Sequence, residues 1–137
     1  MIEIKNHTSL EQSKILVEFL PLESADMYYS NDEYPKPITK YEITYAKVLY
    51  GSYDIQYFKI FGYTPCWSLG ALINLLPSSL KDEIGMEFHL SMHKDYIEYV
   101  NSNVSGLYST YMHTCGNNNL VDACYEMIIK LHEQKLL

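Results

Sequence analysis

Strand-forming residues are gathered into two blocks of the chain, and this grouping constrains the fold more than any other feature. Nine of the fourteen tyrosines lie between Tyr28 and Tyr63, four lie between Tyr96 and Tyr111, and only Tyr125 falls in a predicted helix. Tyrosine and β-branched residues favour strands. Short turns join the strands of each block, and short turns connect antiparallel strands, because parallel strands need a long crossover. The pattern therefore predicts a mainly antiparallel sheet of two hairpin-containing blocks.

Three helices are predicted around these blocks, at about residues 8–20, 66–76 and 119–135. The first begins at a capping box from Thr8 to Glu11, and Pro21 ends it. Pro65 favours the start of the second, which is apolar almost all the way round and is expected to be the most buried. The third begins at an asparagine N-cap, and its apolar stripe consists of Val121, Cys124, Ile128 and Leu131. This order is typical of an α+β fold, with residues 1–137 forming a single domain.

The strands are located by their turns and by alternation. A glycine in Tyr50-Gly51-Ser52-Tyr53 predicts a hairpin within residues 41–61. Residues 86–92 alternate apolar and polar side chains, which is typical of a half-buried strand. A turn at residues 93–95 leads to a partner strand at 96–100, and a third strand is expected at 107–113. Two prolines in the polar residues 30–37 predict a loop.

Charge excludes several classes of partner. The chain has 137 residues, with 17 acidic side chains and 10 basic ones, all lysine, which gives a net charge of −7. Without arginine and without a basic run, direct nucleic-acid binding is disfavoured. The N-terminus has no secretory signal, and no apolar stretch approaches the roughly 20 residues that span a bilayer. The sequence therefore predicts a cytoplasmic protein with no membrane partner and with reduced cysteines.

Histidines and carboxylates provide the first catalytic candidates. His89 and His93 are four residues apart on a predicted strand, so they share a face with Ser91, and His113 on a later strand could approach them. They are weak candidates for a metal site, because a third ligand is needed, and both also fit the polar face of a half-exposed strand. A small enzyme using His89, His93 and Asp95 is one hypothesis. Adjacent carboxylates, such as those at 82 and 83, are typical of solvated turns.

Cysteine and serine provide the second set. Cys66 or Cys124 could act as a nucleophile with His113 or His132, although both cysteines lie on apolar helix faces, where cysteine behaves as a small hydrophobe. Ser68 stands in a sequence similar to part of a nucleophile elbow, but it also fits a residue at a helix start. The six glycines stand singly, so no phosphate-binding loop and no cofactor are expected.

Tyrosines are the candidates for an interaction surface. Tyrosine combines a large contact area with a polar tip, which suits recognition, and it fills half-buried sheet faces equally well. The tyrosines taken as candidates are Tyr45, Tyr53, Tyr57, Tyr96, Tyr99 and Tyr111.

Three stretches resemble a known family. Residues 20–29 (LPLESADMYY), 65–72 (PCWSLGAL) and 119–127 (NLVDACYEM) are similar to small proteins of unknown function from gut Bacteroidales, often encoded in prophages or other mobile regions. The resemblance covers both ends and the middle helix, and less of residues 30–62. It implies a bacterial or phage cytoplasm, and it implies no catalytic residue.

Three functions follow as hypotheses. The first is a non-catalytic binding or accessory protein whose partner is another protein or a second copy of the chain in a homodimer. The second is an acidic inhibitor that mimics nucleic acid or occupies a basic site on a host enzyme, which requires carboxylates clustered on one face. The third is a small hydrolase or metal-dependent enzyme that uses the His89/His93 strand.

Overall fold

The α+β class is confirmed by the computed structural model, which describes residues 5–29, 37–39, 64–102, 108–114 and 119–137. The elements in these residues are α1 (Leu10–Leu16), a 3-10 helix (Leu22–Ser24), β1 (Met27–Tyr29), β2 (Pro37–Thr39), β3 (Thr64–Cys66), α2 (Leu69–Leu75), β4 (Ser79–Lys81), β5 (Glu87–Met92), β6 (Ile97–Ser102), β7 (Tyr108–His113) and α3 (Leu120–Glu133). All described strand pairs are antiparallel, in a sheet of order β2-β1-β3 and a sheet of order β4-β5-β6-β7.

The chain divides into two compact units, one of residues Asn6–Ala71 and one of Met1–Lys5 with Leu72–Leu137. The prediction that residues 1–137 form a single domain stays a prediction. The predicted hairpin at 41–61 lies outside the described residues, as does most of the predicted loop at 30–37. Among the described helices, none combines the length and the apolar character needed to cross a membrane.

The first unit is organised around the buried hydroxyl of Thr8. This oxygen accepts a hydrogen bond from the Trp67 backbone N–H at 3.1 Å and lies 2.8 Å from the Ser13 hydroxyl. Because Thr8 is fully buried in these contacts, it does not cap α1. Ser9 is the N-cap instead, with a capping box to Gln12. The predicted Thr8 to Glu11 box is therefore wrong by one residue.

The second helix begins later than the sequence predicts. Pro65 and Cys66 belong to β3, the outer strand of the described three-stranded sheet, where a proline is tolerated. Ser68 caps the helix, because its hydroxyl accepts the Ala71 N–H at 3.2 Å. The interpretation of Ser68 as a helix-start residue is confirmed. The expectation that this helix is the most buried is wrong, since α2 buries only Leu72 whereas α3 buries six residues.

The second unit packs α3 against the four-stranded sheet through β6. The predicted stripe is confirmed, because its four members are all fully buried. Asn119 is the N-cap, and its side chain accepts the Asp122 N–H at 2.8 Å. An ion pair of Glu126 with Lys130, four residues apart on α3, is also present at 3.9 Å.

β5, β6 and β7 lie within two residues of their predicted positions, whereas the sequence did not predict β4. The turn after β5 is closed by a hydrogen bond from the His93 N–H to the Tyr96 carbonyl. Alternation in β5 buries Phe88 on the core face and leaves His89 exposed. Met86 lies before the strand and is exposed, which differs from its predicted inward position.

Candidate functional site

The turn between β4 and β5 is held in one conformation by a carboxylate. Oδ1 of Asp82 accepts the backbone N–H of Ile84 at 3.0 Å and that of Met86 at 2.8 Å. Backbone hydrogen bonds also join the Asp82 N–H to the Met86 carbonyl and the Gly85 N–H to the Asp82 carbonyl. Gly85 has a φ of 87°, in the region that glycine enters without steric cost. These hydrogen bonds fix the backbone of the turn, and the turn presents the side chain of Ile84.

An exposed apolar side chain stands at the tip of this turn. The side chain of Ile84 is 84% exposed, which is the largest exposure among the large hydrophobic residues described. Nearby in the same sheet, Tyr111 of β7 is 37% exposed. Its ring stacks on that of buried Phe88 with the centroids 5.1 Å apart, so the aromatic side chain is held from below.

An open recess of about 280 Å³ is lined by Asp82, Glu83, Ile84 and Tyr111. We call these four residues the Ile84–Tyr111 surface. Its volume is below the range of about 300–1,000 Å³ that is typical of ligand pockets, so the recess suits one side chain better than a cofactor. The surface combines an aliphatic group, an aromatic ring and two carboxylates.

A β-bulge places Tyr111 on this surface. Tyr99 pairs with Met112 and Val100 pairs with Thr110, so Tyr111 is the extra residue of β7. A bulge re-aims a side chain relative to simple alternation. The additional residue lets the Tyr111 ring reach Phe88 on β5.

The other candidate tyrosines divide between core and surface. Tyr45, Tyr53 and Tyr57 lie outside the described residues. Tyr96 is half-buried and stacks on the ring of His93, with the centroids 4.1 Å apart.

Tyr99 is not an interaction residue in this fold, and that prediction is corrected. The side chain is fully buried, and its hydroxyl donates to the Pro77 carbonyl at 2.7 Å. Burial raises its pKa well above the usual range for tyrosine, with the Cys124 thiol adding to the shift. Tyr99 therefore belongs to the core beneath α3.

His93 forms a polar cluster with Glu98 and Ser91 on the face of the sheet opposite Tyr99. His93 Nε2 lies 3.0 Å from Glu98 Oε1 and 3.2 Å from the Ser91 hydroxyl. The register places His113 opposite Glu98, so these two residues share a face. That His113 approaches His89 and His93 stays a prediction. His89 is exposed on the same strand, and Asp95 is exposed in the turn. In the part of the chain that the structure describes, no three His, Cys, Asp or Glu side chains are placed to hold a metal ion.

This cluster does not have the geometry of a catalytic triad. In a triad the serine and the carboxylate contact opposite nitrogens of the imidazole, so that the ring can pass a proton. Here Ser91 and Glu98 both contact Nε2. The arrangement can orient His93 and pair it with Glu98 when the ring is protonated, but it does not activate the Ser91 hydroxyl.

The two described cysteines are buried thiols. Cys66 and Cys124 are both free and fully buried. Burial raises the pKa of Cys66, and it raises the pKa of Cys124 to about 12. Among the described residues, Cys66 interacts with Thr8, Tyr29 and Ser13, and none of these partners is a histidine. Since the thiolate is the reactive form, neither residue has the character of a nucleophile.

Comparison with known proteins gives no relative for this chain. No family model matches it, and neither a curated protein nor a solved structure matches it. The relation to proteins of gut Bacteroidales stays a prediction. The assignment of the candidate site therefore rests on its geometry alone. Of its residues, the sequence predicted Tyr111 as an interaction residue but did not predict Ile84. The one signal for Ile84 is an isoleucine next to a glycine in an otherwise charged turn.

Proposed function

We propose that the protein is a non-catalytic binding protein that docks a partner protein through the Ile84–Tyr111 surface. The observation that carries this proposal is the exposure of Ile84, 84%, on a turn whose backbone is fixed by Asp82. Burial of an isoleucine side chain contributes about 1.5–3 kcal/mol relative to leaving it exposed. A partner that covers Ile84 recovers this free energy.

The fixed backbone increases what docking can gain. Ordering a flexible loop on binding lowers affinity, and a segment already in its bound conformation avoids this cost. The Asp82 hydrogen bonds keep the turn ordered before a partner arrives. Tyr111 adds an aromatic ring with a polar tip, the type of side chain that is enriched at the centres of interfaces.

A second copy of the chain fits this surface less well than a different protein. A two-fold dimer brings the same patch of each copy together, so Glu83 would face the equivalent carboxylates of the other copy. The net charge of −7 adds to this repulsion. We therefore propose a partner that is not the chain itself, in the cytoplasm, where free thiols such as those of Cys66 and Cys124 remain reduced.

Mimicry of nucleic acid is less well supported. Several described carboxylates are engaged within the fold: Asp26 accepts the Ser68 N–H, Asp122 pairs with Lys5 at 2.6 Å, and Glu126 pairs with Lys130. A mimic needs carboxylates that are free to meet a basic site.

The proposal is tested by selecting binders from a random peptide library displayed on phage, with the whole chain as the target. We expect synthetic versions of the selected peptides to bind Ile84→Ser at least about tenfold more weakly than the wild type, which corresponds to about 1.4 kcal/mol. Calorimetric titration measures the two affinities.

Ile15→Ser is the matched control, because Ile15 is also an exposed isoleucine, 45% accessible, on α1. It should leave the affinities within about twofold of the wild type. Peptides that bind Ile84→Ser and the wild type equally would overturn the proposal. Sedimentation of the wild type at micromolar concentration tests whether the chain forms a homodimer. A dimer that dissociates in the Ile84→Ser variant would show that this surface joins two copies of the chain instead.

A further inference from the structure

Two carboxylates line the recess, and no ion pair joins either of them to a described residue. Oδ1 of Asp82 is occupied by backbone N–H groups, while the carboxylate of exposed Glu83 has no hydrogen bond or ion pair with any described residue. Of the described lysines, Lys81 is nearest in sequence, and its cross-strand partner is Glu87. The negative charge of Glu83 therefore has no ion-pair partner among the described residues.

The Tyr111 ring forms the aromatic wall of the same recess. One face of the ring stacks on Phe88, and the exposed part lines the recess. A cation over an aromatic face is attracted by the ring, with about 0.5–1 kcal/mol at exposed sites. An aromatic ring and a carboxylate that line one recess can together recognise an ammonium or guanidinium group.

We infer that the partner docks by inserting a lysine or arginine side chain into the recess between Tyr111 and Glu83, next to an apolar residue that covers Ile84. This inference rests on the proposed function and specifies the chemistry of its partner. The volume of about 280 Å³ accommodates one long side chain. The charge of the whole chain, −7, attracts a basic segment and repels an acidic one.

The composition of the selected peptides provides the first test. We expect peptides whose binding depends on Ile84 to be enriched in lysine or arginine relative to the unselected library. Replacement of that basic residue in the synthetic peptide by glutamine should lower its affinity by about fivefold. Apolar peptides that depend on Ile84 and contain no basic residue would overturn this inference and leave the proposed function standing.

The charge on the protein provides the second test. Glu83→Gln should lower the affinity for the basic peptide by about fivefold and should weaken its dependence on salt concentration. Glu133→Gln removes an equal charge from the exposed end of α3, and it should change the affinity by less than about twofold. Equal losses in the two variants would mean that only the net charge matters, and the recess would then not be the cation site.

Two further measurements complete the test. Circular dichroism and the thermal midpoint should be unchanged by Glu83→Gln, because Glu83 is exposed in a turn and makes no described contact that supports the fold. Free butylammonium, titrated alone, separates a peptide site from a site for small amines. Binding of this ion as tight as that of the peptide would overturn the inference of a protein partner's side chain.

Discussion

The thiols of Cys66 and Cys124 lie among side chains that leave them neutral. Around Cys66, the Tyr29 hydroxyl donates to the Thr8 carbonyl at 2.6 Å, and the Thr8 hydroxyl lies 3.6 Å from the sulfur. Burial raises the pKa of Cys66, and this effect dominates although hydrogen bonds from the side chains of Thr8, Tyr29 and Ser13 to the thiol act to lower it. A neutral thiol without access to water reacts slowly with alkylating agents.

We therefore expect Cys66 and Cys124 to be protected from iodoacetamide in the folded protein and to react after unfolding in urea. A Cys115→Ser background restricts the labelling to these two residues, and mass spectrometry of the intact chain counts the adducts. The same background with Cys124→Ala assigns any remaining adduct to Cys66. Labelling of either thiol in native buffer at the rate of the unfolded chain would show that it reaches solvent.

Helix α3 begins at a side-chain cap whose contribution can be measured. The Asn119 side chain accepts the Asp122 N–H at 2.8 Å and also donates to the Asp122 carboxylate at 2.7 Å. We expect Asn119→Ala to lower the free energy of unfolding by about 1 kcal/mol, measured by urea denaturation. Asn119→Ser keeps an oxygen that can accept the same N–H and should recover most of the loss. A serine variant as unstable as the alanine variant would show that the cap hydrogen bond is not the cause.

The turn that presents Ile84 depends on the conformation of Gly85. A Cβ at this position meets no atom within 4 Å, so space does not oppose a substitution, whereas its φ of 87° does. Gly85→Ala should therefore lower the free energy of unfolding by about 1 kcal/mol. It should also lower the affinity for the selected peptides, because Ile84 is no longer presented in the same way. Ser109→Ala, at an exposed position of β7, is the control for stability and binding. Unchanged peptide affinity in Gly85→Ala would show that the fixed turn does not contribute to docking.

Elements that depend on local chemistry could be predicted from the sequence, and those that depend on tertiary contacts could not. The cap and stripe of α3 are local, so their pattern was sufficient. Thr8 has the right type for an N-cap, but the Ser13 and Trp67 contacts use its hydroxyl, and the cap moves to Ser9. Pro65 fits a helix start and an outer strand equally well, and only the pairing with β1 decides between them.

The same distinction explains what could be predicted of the candidate site. Tyr99 and Tyr111 were equivalent as strand tyrosines in the sequence. The packing of α3 buries the first, while a bulge carries the second to the recess beside the turn. The exposure of Ile84 depends on where neighbouring strands end, which no residue pattern in the turn reveals.

Buried tyrosine hydroxyls and cysteine thiols make the stability of the whole molecule depend on pH. Desolvation by burial raises the pKa of four tyrosines and two cysteines, namely Tyr28, Tyr29, Tyr99, Tyr125, Cys66 and Cys124. Each group is neutral when protonated, so the folded protein holds its proton to higher pH than the unfolded chain does. As the pH rises above the unfolded values of about 8.5 for cysteine and 10 for tyrosine, the unfolded state loses protons first. The stability from these groups is fully present below about pH 8.5 and decreases as the pH rises towards the folded pKa values.

We therefore expect the free energy of unfolding in urea to fall between about pH 8 and pH 10.5, by at most about 1.4 kcal/mol per pH unit for each group that titrates only in the unfolded state. Tyr99→Phe should reduce the steepness of this decline, because it removes a phenol whose proton is held by burial and donated to the Pro77 carbonyl. Phe88→Leu also removes buried contacts but no titrating group, so it should lower the free energy of unfolding by the same amount at about pH 8 and at about pH 10.5. If Tyr99→Phe and the wild type declined in parallel, the proton of Tyr99 would not be part of the alkaline instability, and desolvation of that phenol would have to be smaller than its complete burial implies.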